Sequence, residues 1–410
     1  MRHEDPPERL RGPASGFESV VLLLQGGGAL GAYQAGVYEA LDAAGLAPDW
    51  VCGISIGAIN SAIIAGNAPA ERVRSLRAFW ELVSSAHATP WPGWIGPAWL
   101  GAGWLGALPG GDGLRSLANQ MAAGEVMLRG APGFFTPRAP PPTLRPPGAP
   151  GATSWYATDA LRRTLEQLVD FQRINRREMR FSVGAVNVAT GNFTYFDNHQ
   201  DVIRPEHVMA SGALPPAFEA VEIDGARYWD GGLVSNTPLD WVLGARTELD
   251  SLVFQVDLWS ARGEVPKDLA EVAVRMKEIQ FSSRTRAATD AFRRNQALRS
   301  AFNVLLENMP DDLRKTPEAR LLARASDPAV YNIVQLIYRS ATYEGQSKDY
   351  EFSRATMEEH WLAGRRDAER TLAHPEVLVP PKRAFAVQTF DFTRASGDGG
   401  ASEPDFKSQT

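Results

Sequence analysis

The stretch Val51–Asn60, Val-Cys-Gly-Ile-Ser-Ile-Gly-Ala-Ile-Asn, constrains this chain more than any other. It sets Ser55 between Gly53 and Gly57 in the pattern G-x-S-x-G, after an apolar run and before a run suited to a helix. That context is a strand, a sharp turn and a helix, with the serine at the apex. Such a turn holds the serine in a strained backbone conformation that a neighbouring Cβ would block, so glycines flank it. The hydroxyl then projects at a helix N-terminus, where the dipole and free N–H groups favour developing negative charge. A bare G-x-S-x-G also arises by chance, so its weight depends on the rest of the chain.

Two further motifs supply that weight. Gln25-Gly26-Gly27-Gly28-Ala29-Leu30-Gly31 follows the apolar run Val20–Leu24. Glycines placed directly after a strand leave backbone N–H groups unshielded, which an oxyanion hole for acyl transfer needs. A phosphate cradle would instead call for G-x-x-x-x-G-K-[ST], or for an acidic residue placed to meet a ribose, and the chain has neither. Gly27 and Gly28 are the expected donors, with Gly26 and Gly31 shaping the loop. The N–H of Ile56, just after the serine, is a further candidate. The third motif is Tyr228-Trp229-Asp230-Gly231-Gly232. Asp-Gly alone is a turn signal, so Asp230 draws its interest from the company it keeps.

The motif order, with Ala210-Ser211-Gly212-Ala213-Leu214-Pro215-Pro216-Ala217-Phe218 between the second and third, resembles the patatin-like phospholipases from about Val20 to Leu258. The resemblance implies a patatin-like three-layer α/β/α fold with a mainly parallel central sheet. It also implies a Ser–Asp dyad acting on acyl esters, usually of lipids, with Ser55 as nucleophile and Asp230 as the direct base. One departure is Leu30, which stands where many members carry Arg or Lys, so no cationic help is expected from this loop. Six histidines, at positions 3, 87, 199, 207, 360 and 374, could in principle complete a triad, but none sits in a late-triad context; surface or helix-capping roles are expected for His199 and His207. No cluster of His, Cys and carboxylates suggests a metal, and the dyad requires no metal or cofactor. The expected activity is therefore a serine acyl hydrolase of phospholipase A type, working through an acyl-Ser55 intermediate. Alternatives with the same dyad are a soluble carboxylesterase, a thioesterase or a hydroxyacyl-oligomer hydrolase. A non-catalytic lipid- or protein-binding scaffold is the alternative of another class, and it would have no need of free loop N–H groups beside an exposed serine.

Strand and helix patterns alternate from Val20 to Ser85, which argues for a mainly parallel sheet covered by helices. Four segments frame the expected organisation: a disordered stretch 1–18, a catalytic domain 19–260, a mostly helical C-terminal extension 261–384 and a disordered tail 385–410. Within the catalytic domain, 88–153 reads as an irregular insertion that could form a lid. It holds Trp91, Trp94, Trp99 and Trp104 among prolines and glycines, and tryptophan suits surfaces with one apolar and one wet side. In the extension, Lys348-Asp349-Tyr350-Glu351-Phe352-Ser353 with His360-Trp361 resembles a feature of one bacterial patatin-like subgroup. A net charge of −6 excludes the basic footprint of a nucleic-acid binder. Cys52 is the only cysteine, so no disulfide forms within the chain. The first residues lack the apolar core of a signal peptide, and no apolar run reaches the ~20 residues that span a bilayer. A cytoplasmic protein is expected, with peripheral membrane contact left open.

Overall fold

The run Ser-Val-Val-Leu-Leu-Leu forms strand β1 (Ser19–Leu24), buried at every position. An unbroken apolar run needs cover on both faces, the condition of a parallel strand with helices on either side. The computed structural model describes residues 15–85, 122–245, 249–339, 347–383 and 386–393, without the side chains of residues 270 and 283–287. The tryptophan-rich part of the expected insertion, including Trp91, Trp94, Trp99 and Trp104, lies outside the described residues.

β1 runs parallel to β2 (Trp50–Gly53) on one side and β9 (Ser251–Asp257) on the other, with Leu24 opposite both Gly53 and Val256. Beyond β2 comes β5 (Arg180–Asn187), also parallel. Beyond β9 come β10 (Tyr331–Ile337) and β11 (Val387–Phe390), parallel again. Antiparallel strands close the other end. They are β6 (Phe193–Asp197), paired with β5, and the hairpin β7 (Val221–Ile223) and β8 (Ala226–Asp230). β3 (Thr136–Pro137) and β4 (Tyr156–Ala157) make a separate small pair. The sheet order is β11-β10-β9-β1-β2-β5-β8-β7, with β6 beside β5.

Register on β5 positions the site. Ala185 and Val186 pair with Thr194 and Phe193 of β6, and also with Asp230 and Trp229 of β8. A strand has one neighbour per edge at a given residue, so β6 and β8 lie on opposite edges and β8 shares the edge of β2. β2 ends at Gly53, opposite Val183, while β8 ends at Asp230, opposite Ala185. At about 3.3 Å per residue, Asp230 enters ~7 Å beyond the end of β2, into the space that the chain vacates by turning at Ser55.

Alternate side chains of β1 define two cores. Val20, Leu22 and Leu24 belong with α1 (Ala32–Ala43), α2 (Ile56–Ala65), α3 (Arg72–Val83), α4 (Asp159–Leu168) and α5 (Pro205–Ser211). Val21 and Leu23 belong with α6 (Leu239–Gly244) and Phe292 of the long α7 (Leu269–Glu307). The result is a three-layer α/β/α fold with a mostly parallel central sheet. A further helix, α8 (Arg354–Leu372), lies on α1. Their crossing is a reciprocal glycine contact: a Cβ on Gly36 would stand 1.9 Å from the Trp361 carbonyl oxygen, and one on Gly364 2.0 Å from that of Tyr33.

Two expectations about the C-terminal region need correction. The boundary drawn at 260 falls between β9 and β10, which are neighbours in one sheet, so the extension adds strands as well as helices. The segment read as a tail from 385 contains β11, whose short Val-Gln-Thr-Phe run is too brief to stand out amid polar neighbours but finds partners along Tyr331–Val334.

Candidate active site

Ser55 sits at the N-terminus of α2 with φ 55° and ψ −123°. A non-glycine residue at positive φ is strained, and the surroundings must hold it there. Here the Ser55 N–H donates to Ser211 Oγ at 3.0 Å, and the Gly57 N–H donates to the Ile54 carbonyl at 2.8 Å. The flanking glycines are obligatory for packing. A Cβ on Gly53 would lie 2.2 Å from the Gly57 carbonyl oxygen, and one on Gly57 2.2 Å from that of Leu24. Those are backbone atoms and cannot rotate aside. Ser55 itself is only partly buried.

Asp230 is 2% exposed. Its N–H donates to the Ala213 carbonyl at 3.0 Å, and its Oδ1 accepts the Gly232 N–H at 2.7 Å. Burial pushes its pKa from 3.8 up to about 7, against the Ser55 hydroxyl and the Gly232 N–H, whose hydrogen bonds lower it. The side chains of Ser55 and Asp230 are thus brought together. Gly231 keeps β8 close to β5, since a Cβ there would meet the Gly184 carbonyl oxygen at 2.7 Å.

The glycine loop lies against the same serine: a Cβ on Gly26 would be 3.0 Å from Ser55 Cβ and 2.4 Å from Asn236 Oδ1. The Gly26 N–H donates to the Asn236 carbonyl at 3.3 Å, and the Gly27 carbonyl accepts the Leu30 N–H at 3.2 Å. The Ala29 N–H donates to the Asp349 carbonyl at 2.8 Å, and Gly28, at φ 55°, has that same oxygen where a Cβ would be. Among the described residues, no acceptor takes the N–H of Gly27, Gly28 or Ile56. Gly31 packs on the first turn of α2, its absent Cβ 2.5 Å from Ile56 Cγ1, and Leu30 is fully buried.

Sequence reasoning missed four residues at this site. Ser211 holds the strained serine, and its only signal is its place in the Ala210–Phe218 segment. Asn236, Trp259 and Asp349 surround the glycine loop from distant parts of the chain; Asn236 and Trp259 carry no local signature, and the only signal for Asp349 is its place in the Lys348–Ser353 segment. The histidines take other places. His207 is buried and caps α5, its Nδ1 accepting the Arg204 N–H at 2.9 Å while its ring packs on Phe196. That corrects a surface reading of His207 and bears out a capping one. Burial lowers the pKa of both His207 and His199. His360 lies against Tyr338 and His374 against Phe392. A second buried carboxyl, Asp257 at the end of β9, is also raised to about 7 by burial. Its Oδ2 accepts Gln255 Nε2 at 2.5 Å. Among the described residues, no His, Cys, Asp and Glu side chains gather in a group that could hold a metal ion, and no helix is long and apolar enough to cross a membrane.

A family model described as Patatin-like phospholipase matches residues 22–243, and a second described as Patatin phospholipase matches residues 279–384. Among solved structures, VipD from Legionella pneumophila is similar at 14% identity over 88% of this chain and 67% of that one, with a TM-score of 0.38. No curated protein matches. The first family model covers more than half of the chain and runs from β1 through the serine turn and Asp230 to α6, so the chain belongs to the patatin-like phospholipases, hydrolases that act on ester bonds.

Proposed function

We propose that this protein hydrolyses lipid acyl esters with a Ser55–Asp230 dyad. The observation that carries the reading is a strained serine at a helix N-terminus against a buried carboxylate with a pKa of about 7. A base with its pKa near the working pH is both available and strong enough to take a hydroxyl proton. Asp230 accepts the Ser55 proton as Oγ attacks the ester carbonyl, and the tetrahedral oxyanion is held by the N–H groups of Gly27, Gly28 and Ile56. Collapse expels the alcohol, which takes the proton back from Asp230, and leaves acyl-Ser55. Asp230 then draws a proton from water as it attacks the acyl carbonyl, and returns it to Ser55 Oγ as the acyl–oxygen bond breaks, which releases the fatty acid and restores both groups. Peripheral membrane contact fits this reading, because Leu269, Val272, Met276 and Ile279 recur at helical spacing on α7 and are exposed.

A fluorophosphonate probe should label the wild-type serine and fail on Ser55→Ala. Ser55→Ala and Asp230→Asn should each lose nearly all hydrolysis while folding normally, and the double variant should be little worse than either, since the two groups act as a unit. Phospholipid vesicles compared with p-nitrophenyl esters of graded length would assign the substrate. Substantial hydrolysis by Ser55→Ala would sink the reading.

A further inference from the structure

We infer that Asn236 and Trp259 are positioning residues that aim the Gly27 N–H at the reaction's oxyanion. The inference rests on the reading of the glycine loop as the oxyanion hole. The Gly26 carbonyl accepts two side-chain hydrogen bonds, from Asn236 Nδ2 at 3.0 Å and from Trp259 Nε1 at 2.9 Å. Both donors are buried. The Gly26–Gly27 peptide is trans, so its carbonyl and its N–H point in opposite directions. Two donors that fix the carbonyl therefore fix the Gly27 N–H facing away from them, where no acceptor among the described residues meets it.

The loop needs such a restraint. A peptide between two glycines can rotate with little steric cost. Turned over, it would present a carbonyl oxygen to the oxyanion in place of a donor, and repulsion would replace attraction. Both holding groups are themselves held. The backbone carbonyl of Asn236 accepts the Gly26 N–H at 3.3 Å. The backbone N–H of Trp259 donates to Gln25 Oε1 at 3.0 Å, and Gln25 Nε2 donates to Thr237 Oγ1 at 3.0 Å, next to Asn236. The Trp259 ring packs on Phe281 of α7, with Lys348 Nζ 5.1 Å from its centroid. Lys348 in turn pairs with Glu278 at 2.8 Å. Through Trp259 the C-terminal region thus reaches the loop whose N–H groups the chemistry uses.

Neither side chain has to touch the substrate, so the effect belongs to kcat and leaves KM nearly alone. Trp259→Phe keeps an aromatic ring and removes the donor with part of the indole's volume; Asn236→Ala removes the other donor. Loss of a whole oxyanion donor costs about 10²–10³ in rate. With one holding group left, each single variant should lose roughly tenfold in kcat and in fluorophosphonate labelling rate, with KM within about twofold. The double variant should lose more than the product of the singles, because either donor alone still holds the peptide and only their joint removal frees it. The pH midpoint of kcat should stay where wild type has it, since Asp230 is untouched. Wild-type kcat in Trp259→Phe would overturn the inference. So would a loss in which KM rises and melting temperature falls in step with kcat, since that marks a purely structural role. Asn236→Ala could fail to fold, and Trp259→Phe alone then decides. Ser55→Ala separates the two levels: residual activity there removes the dyad, whereas an inert Ser55→Ala beside a fully active Trp259→Phe removes only this inference.

Discussion

Asp230 and Asp257 are buried carboxyls raised to about 7, and each gives a pH dependence of definite sign. In the proposed role of base, Asp230 must be ionised. The kcat/KM for a soluble ester should therefore rise about tenfold per pH unit below 7 and level off above it. A rate that is flat from about pH 5 to 9 would contradict the role. Stability runs the other way. A carboxyl raised on folding binds more protons in the native state, so its contribution is fully present below the unfolded value of 3.8 and is lost as pH rises through about 7. Asp257 isolates this effect because it lies outside the proposed dyad. Asp257→Asn should gain on wild type in unfolding free energy as pH rises from about 4 to 8, by up to ~4 kcal/mol at 1.36 kcal/mol per unit. A difference that does not vary with pH would show that Asp257 ionises in the fold at its ordinary pKa.

At the scale of elements, glycines set how closely backbones approach. In the serine turn they let Gly53 and Gly57 close on each other and on the end of β1. At the crossing of α1 and α8, Gly36 and Gly364 each meet a carbonyl of the opposite helix. The interface is tied at its sides by Tyr33 Oη donating to Asp367 at 2.8 Å and Trp361 Nε1 donating to Glu39 at 2.6 Å. A methyl at Gly364 has only backbone to push against, so α8 must lift. Gly364→Ala should destabilise by about 1–3 kcal/mol, the usual cost of overpacking. Gly45→Ala is the control, with φ +72° but open space around the position, and should cost only local backbone strain. Equal melting temperatures for the two variants would refute the close crossing.

For the whole molecule, the region beyond 260 is part of the core. Without it β9 would become an edge strand although all its residues are buried, and α1 would lose the helix lying on it. An uncovered apolar edge invites aggregation. A chain ending at Ser260 should therefore fail to give soluble, cooperatively folding protein by size-exclusion chromatography and thermal melt. A stable 1–260 fragment would show that the region is an independent addition. The same continuity explains how that region comes to touch the glycine loop at Asp349.

The sequence by itself determined the local devices: the serine turn, the glycine loop, the Asp-Gly-Gly end of a hairpin and the buried strands. Each is a matter of backbone sterics or of an unbroken apolar run, which a few adjacent residues express. The alternation of strands and helices was legible for the same reason, and with it the layered fold. Only the tertiary structure decided that β8 shares an edge of β5 with β2, which brings Asp230 beside Ser55 from 175 positions along the chain. It also decided that Ser211, Asn236, Trp259 and Asp349 surround the two loops, that His207 faces inward, and that Val387–Phe390 is a strand. Those outcomes depend on register and on close packing between remote segments. A single hydrogen-bond donor or a short edge strand leaves no periodic trace in the residues around it, so its partner is specified only when the whole core closes.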